Sequence, residues 1–470
     1  MAVSIPQNVS SFLRKLRNAW SMYPKDFMGL ILIAWGIPAI YTLANTFYIG
    51  RMEMEAIAIS EQYENVSVIL EVLLETFPLA VLALVAWKMT DEESIVRIVR
   101  SAVFMQLAIT LAFMALILVG ANLFVQTINT PVDIRERSVE FLRIKAIAIP
   151  FESIGLLFII SIKAMRRGWL AVGIAAAGVL LNFTLDSFVI STFSFSFKLG
   201  LIGSAWDYVV SKIVIFFVAA FAFYWVVKSK PDARLDKKES AAILRIGKYT
   251  GLESAIRNAG YILGMLIVLN TLGTAEYGGY GVAMTIMWLI FLVPILALGE
   301  ATNVAMGNEY GRRSLERMKR IQLVSIVIMG SYMAAVTIGG VFVWESLSSF
   351  FNDDASIVHF STATFHYLAI PYFFFALGTA LRSLFIGTGK TLYYLIPSVV
   401  VNLGIYIPLG LLVKAGAYNP SFSGIMSITF VVFTIDLVVV SILVWWVYRV
   451  LNGELSVGSN KGAIIPLRGP

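Results

Sequence analysis

Asn182 and Asp186 stand four residues apart in Gly178-Val-Leu-Leu-Asn-Phe-Thr-Leu-Asp186, inside an apolar run from Leu170 to Thr192. On a helix this spacing puts the amide and the carboxylate on one face. A run of this length spans a bilayer, so Asp186 is expected at membrane depth with no other charge on its own helix. Inserting an acid at mid-helix costs roughly 3 kcal/mol, so such residues usually serve an ion, a proton or a substrate path. The alternative is a polar pair that packs two helices and binds nothing.

Other acids fall on apolar stretches. Glu64, Glu71 and Glu75 share one helical stripe. Two carboxylates one turn apart repel unless one is protonated or both meet cations, so Glu71 and Glu75 read either as a proton or cationic-substrate site, or as partners of Lys or Arg on a neighbouring helix. Glu152 follows Pro150 near mid-membrane, with Lys145 or Lys163 as candidate partners. Glu253 and Arg257 have the favourable order for an ion pair within one helix, structural or gating in role. Asp207 and Lys212 are expected to neutralise each other, and Asp436, without another charge on its helix, is a candidate site in the second half.

The elements that carry these residues follow from composition. Hydrophobic residues make up 59% of the chain and charged residues 14%, against about 25% charged in soluble domains, which makes this an integral membrane protein. The absence of cysteine excludes disulfides and thiolate chemistry, and two histidines, His359 and His366, exclude a histidine-rich metal site. The net charge of +7 lies in loops, where membrane topology accounts for it without nucleic acid. Apolar helices are expected at 27–49, 62–88, 99–125, 141–165, 170–192, 201–228, 246–272, 279–305, 320–345, 363–387, 391–413 and 423–449. The fold class is therefore all-α and polytopic, with twelve transmembrane helices. Residues 1–26 read as a cytoplasmic amphipathic segment, 27–228 as a first lobe, 229–245 as a cytoplasmic linker, 246–449 as a second lobe and 450–470 as a cytoplasmic tail. Ser94, Arg97 and Arg100 recur as Ser314, Arg317 and Arg320, and Ala148-Ile-Pro150 recurs as Ala369-Ile-Pro371. An even number of helices per copy makes these parallel repeats, two six-helix bundles related by a pseudo-two-fold axis along the membrane normal. Gly387-Thr-Gly-Lys390 is too short for a phosphate-cradling loop, so ATP-driven transport is not expected. Basic residues concentrate on one side and place both termini in the cytoplasm of a multi-pass cell-membrane protein.

At Ile37-Pro-Ala-Ile-Tyr-Thr-Leu-Ala-Asn-Thr-Phe-Tyr-Ile-Gly-Arg51, at the stretch ending in Asp186 and at Gly200-Leu-Ile-Gly-Ser-Ala205, the chain resembles the multidrug and toxic compound extrusion (MATE) transporters, within the multidrug, oligosaccharidyl-lipid and polysaccharide flippase superfamily. Asn270-Thr-Leu-Gly-Thr-Ala-Glu276, Gly307-Asn-Glu-Tyr-Gly311 and Leu384-Phe-Ile-Gly-Thr-Gly-Lys390 extend the likeness through the second half. The resemblance implies a V-shaped pair of bundles around a central cleft, and export of organic compounds driven by inward flow of H⁺ or Na⁺. It also implies a cation site at Tyr41, Asn45, Asn182, Asp186 and Ser204. Many members have an acid where this chain has Asn45, which leaves one carboxylate where others hold two and leans the coupling ion towards H⁺.

The expected function is a cation-coupled antiporter that exports cationic or amphipathic compounds by alternating access. It needs no cofactor beyond the coupling ion, no metal beyond Na⁺ at Asp186, and only a small organic substrate and membrane lipids as partners of a monomer. A lipid or lipid-linked oligosaccharide flippase on the same scaffold is the alternative, and a membrane-embedded lipid-modifying enzyme is a remote one, since no nucleophile and base constellation appears.

Overall fold

Backbone groups in lipid can be satisfied only within the chain, and the apolar runs answer that demand as helices. The computed structural model describes residues 25–50, 56–127, 132–191, 194–227, 236–269, 271–352 and 354–457, and every regular element among them is helical. The N-terminal segment to Pro24, much of the expected linker and the tail from Gly458 lie outside the described residues, as do the side chains of Asn45 and Glu64.

The first half contains α1 (Lys25–Gly50), α2 (Ala56–Trp87), α3 (Glu92–Thr127), α4 (Ile134–Ala164), α5 (Gly168–Val189) and α6 (Gly200–Val226). The second contains α7 (Lys237–Leu269), α8 (Ala275–Gly311), α9 (Leu315–Phe351), α10 (Ala355–Gly387), α11 (Thr391–Lys414) and α12 (Phe422–Val457). Eleven of these are long and apolar enough, over described residues, to cross a membrane, and α1 is the twelfth helix. Several outrun their apolar stretch. The 36 residues of α3 rise about 54 Å, well beyond a hydrocarbon core of about 30 Å, so its charged first turns stand in water. Asp91 caps that end: its carboxylate accepts from the Ser94 backbone N–H at 3.0 Å and the Ser94 hydroxyl at 2.6 Å, and these bonds hold it below the usual carboxylate range. α4 breaks into a turn at Ile147 and Ala148 just before Pro150, which cannot supply a helix-interior N–H.

By contacts the chain divides into two compact units, one from Lys25 to Asn258 and one from Ala259 onward. The division falls inside α7, so the first 22 residues of that helix, Lys237 to Asn258, pack with the first unit.

The interior of the first unit is layered. One apolar cluster joins Phe77 to Ala86 of α2, Ile95 to Ala102 of α3, Ile154 to Ala164 of α4 and Ala219 to Phe223 of α6. A second joins Ile59 to Leu70 of α2, Ile117 to Val125 of α3, Ile134 to Ile149 of α4 and Leu201 to Val209 of α6. Between the two, along each of these helices, come the polar residues: Glu71 and Glu75, Gln106 and Thr110, Glu152 and Ser153, Ser211 and Lys212. Two oily layers thus hold a polar band inside one helical unit. The buried and half-buried groups of this band need partners, which makes its pairings the place to look for chemistry.

Candidate functional site

α5 and α6 run antiparallel, and their contacts repeat every four residues. A Cβ on Gly178 would stand 3.1 Å from Ile215 Cδ1, Ser211 donates to the Asn182 side-chain oxygen, the Asp186 and Asp207 carboxyls lie in hydrogen-bonding contact, and a Cβ on Gly203 would stand 2.9 Å from Val189 Cγ1. The helical period therefore sets the pair Asn182 and Asp186 against the pair Asp207 and Ser211. Glycine at both ends of the row lets the helices approach closely.

Asp186 is 3% exposed and Asp207 6%. Tyr41 of α1 donates its hydroxyl to Asp186 Oδ2. The named partners of Asp186 are thus a phenol and a second acid, and neither is cationic. Among the described residues no donor reaches Asp207 Oδ2. Asp186 sits in the last turn of α5, because the Ser- and Phe-rich segment after Val189 leaves the helix, so it lies nearer the helix end than a mid-helix reading places it. The partial negative charge of a helix C-terminus also favours a positive charge beside that carboxylate.

The remaining expected site residues are placed as follows. Ser204 donates to the Leu201 carbonyl at 2.7 Å. Glu152 pairs with Lys212 at 2.5 Å and accepts from Tyr208 at 2.7 Å, and the Lys145 ammonium lies over the rings of Tyr63 at 4.1 Å and Tyr208 at 4.5 Å. The expected pairing of Asp207 with Lys212 is therefore corrected: five residues apart on a helix they point to different faces, and Lys212 belongs to Glu152. Neither Lys145 nor Lys163 takes that role, although Lys145 adds its field. Arg257 gathers three carboxylates, Glu75 at 2.6 Å, Glu71 at 3.6 Å and Glu253 at 3.5 Å. Glu71 and Glu75 thus both meet a basic residue of α7, and three acids share its one charge. Asp436 of α12 forms an ion pair with Arg382 of α10.

Asp207 is the functional candidate that sequence reasoning passed over. The signal was present: Asp207 and Ser211 repeat, on the next helix, the four-residue polar spacing of Asn182 and Asp186. Among the described residues no group of three or more His, Cys, Asp or Glu is placed to hold a metal ion.

The MatE family model matches residues 250–412, from the end of the first unit through most of the second. That stretch is similar to the MatE family. Solved MATE structures share its fold over nearly its whole length. One described as the outward-facing conformation of a multidrug resistance MATE transporter is 17% identical with a TM-score of 0.80, over 90% of this chain and 95% of that one. An Asp-to-Asn mutant of a Vibrio cholerae MATE transporter is 13% identical with a TM-score of 0.80, over 95% and 99%. A transporter of the wider superfamily from Pyrococcus furiosus, described as having a binding pocket of reversed polarity, is 17% identical with a TM-score of 0.79, over 92% and 95%. No curated protein sequence matches. With eleven apolar helices long enough to cross a membrane among its described residues, the chain is a multi-pass membrane protein with the fold of these transporters.

Proposed function

We propose that this MATE-like chain is a cation-coupled antiporter, driven by H⁺ or Na⁺, that exports organic cations or cationic amphiphiles by alternating access, with coupling at Asp186, Asn182 and Tyr41. One observation carries the reading: Asp186 is buried in a membrane unit with a tyrosine and an acid for partners, while Glu152, Glu71, Glu75, Glu253 and Asp436 each have a basic side chain within 4 Å. An anion so placed is costly until a cation or a proton joins it. Loading then shifts the balance between the two access states by the difference in its affinity for them. The three carboxylates around Arg257 favour positively charged substrates. Loop lysines and arginines support a cell-membrane orientation with both termini in the cytoplasm.

A flippase for polar lipids has one observation in its favour, the lysine pair Lys145 and Lys212 beside Glu152, which could hold a phosphate head group.

Proteoliposomes with pH and Na⁺ gradients imposed separately test both readings. An inward gradient is expected to accelerate efflux of a fluorescent organic cation by the intact protein, and Asp186→Asn to lose about tenfold or more of that acceleration. Equal acceleration in both proteins would remove the coupling assignment. Movement of a labelled phospholipid without movement of the organic cation would establish the flippase.

A further inference from the structure

The geometry points to Asp207 as the second carboxylate ligand of the coupling cation, facing Asp186 across the α5–α6 seam. This rests on the coupling reading above and names a residue that reading does not need.

Three observations carry it. The helix register sets the Asp186 and Asp207 carboxyls against each other, one turn from the Ser211–Asn182 bond, and two facing carboxylates repel unless something positive lies with them, a proton or a metal cation. Asp207 Oδ2 is buried where, among the described residues, no N–H or O–H reaches it, although buried carboxylate oxygens are ordinarily satisfied. The register of the two helices is fixed by contacts on both sides, Ser211 with Asn182 one turn one way and Gly203 with Val189 one turn the other, so the acids are held together by packing rather than by mutual attraction.

A purely structural pair would gain from being apolar, since replacing buried charge with matched hydrophobic side chains is often neutral or stabilising. Two facing carboxylates, with the Tyr41 hydroxyl on one of them, instead form an oxygen-rich pocket for a small hard cation. H⁺ and Na⁺ share that chemistry, and a test with separate arms tells them apart.

The intact protein, Asp186→Asn, Asp207→Asn, Asp207→Glu and the double Asn variant are compared in proteoliposomes under a pH gradient without Na⁺ and under a Na⁺ gradient at equal pH. Substrate-evoked proton release and binding of radiolabelled Na⁺ are measured in detergent, and substrate binding reports on folding. Asp207→Asn, close in shape to the native side chain, is expected to lose gradient-driven efflux and cation exchange by about tenfold or more, as Asp186→Asn does, with the double variant no worse than either single, because groups acting as one unit are non-additive. Asp207→Glu is expected to retain part of the exchange, which a role confined to packing would not produce. The responding arm, proton release or Na⁺ binding, identifies the ion. If Asp207→Asn keeps wild-type exchange while Asp186→Asn loses it, Asp207 is no ligand and the coupling reading stands. If Asp186→Asn also keeps wild-type exchange, the coupling reading itself fails.

Discussion

Glu152 and Lys212 show what a fixed charge looks like in this protein. Their heads meet at 2.5 Å with side chains 18% and 26% exposed, and Tyr208 donates to the second carboxylate oxygen, so the acid is answered on both sides. Breaking a buried pair by removing one partner costs about 3–5 kcal/mol, whereas replacing both by matched apolar groups costs little. Glu152→Gln and Lys212→Met alone are therefore expected to lower the unfolding temperature markedly, and the double variant to recover much of the loss, as scanning fluorimetry would register. Each variant's folded fraction should keep its response to the ion gradient, because this pair is already neutral. Failure of the double variant to recover would mean that the two charges serve separate ends. Spacing alone revealed Asn182 with Asp186 and Glu253 with Arg257, since one helix's period fixes which of its own residues share a face. Partners on other helices were beyond its reach: Lys212 with Glu152, or Asp207 with Asp186, depends on a register between helices that no single helix's pattern encodes.

That register is a property of elements. α5 and α6 meet along a row with Gly178 near one end and Gly203 near the other, and the two glycines differ in what a methyl group would strike. At Gly178 it meets Ile215 Cδ1 at 3.1 Å, the far end of a side chain that can rotate away; at Gly203 it meets Val189 Cγ1 at 2.9 Å and Leu199 Cβ at 2.5 Å, close to backbone on two sides. Overpacking of this kind costs about 1–3 kcal/mol. Gly203→Ala is thus expected to lower thermal stability and weaken gradient-driven efflux together, by spreading the helices just where the acids face each other, while Gly178→Ala changes both little. The reverse order, read from melting curves and efflux rates on the same preparations, would place the close approach elsewhere. The existence of these helices was legible because uninterrupted apolar runs leave few alternatives in lipid. Their ends were less so: α7 begins at Lys237 and α9 runs 37 residues to Phe351, because water satisfies a helix's polar outer turns as readily as a loop's. The π-helical turns at Tyr261–Met265 and Val399–Tyr406 also left no mark in the hydrophobic pattern.

At the scale of the whole chain the two units are repeats that have diverged at their charges. What recurs in sequence, Ser94, Arg97 and Arg100 against Ser314, Arg317 and Arg320, lies at the starts of α3 and α9, although Asp91 caps α3 while Ser314 makes no side-chain cap bond on α9. The membrane-depth acids follow no such repeat. The first unit holds Asp186 against Asp207, two like groups with a cation to find; the second holds Asp436 against Arg382, side chains 14% and 18% exposed, with the counter-charge built in. On the proposed reading the first unit answers to the ion gradient at its paired acids, while Asp436 in the second already has a basic partner. Asp436→Asn, which removes the carboxylate from this pair, is expected to cost up to about 3–5 kcal/mol of stability, and Arg382→Leu with Asp436→Leu to return most of it. Both variants should retain the intact protein's ratio of gradient-driven to passive efflux once normalised to folded protein. Loss of that ratio in the stable double variant would make Arg382 and Asp436 a second point of ion control, and would give coupling to both halves of the repeat.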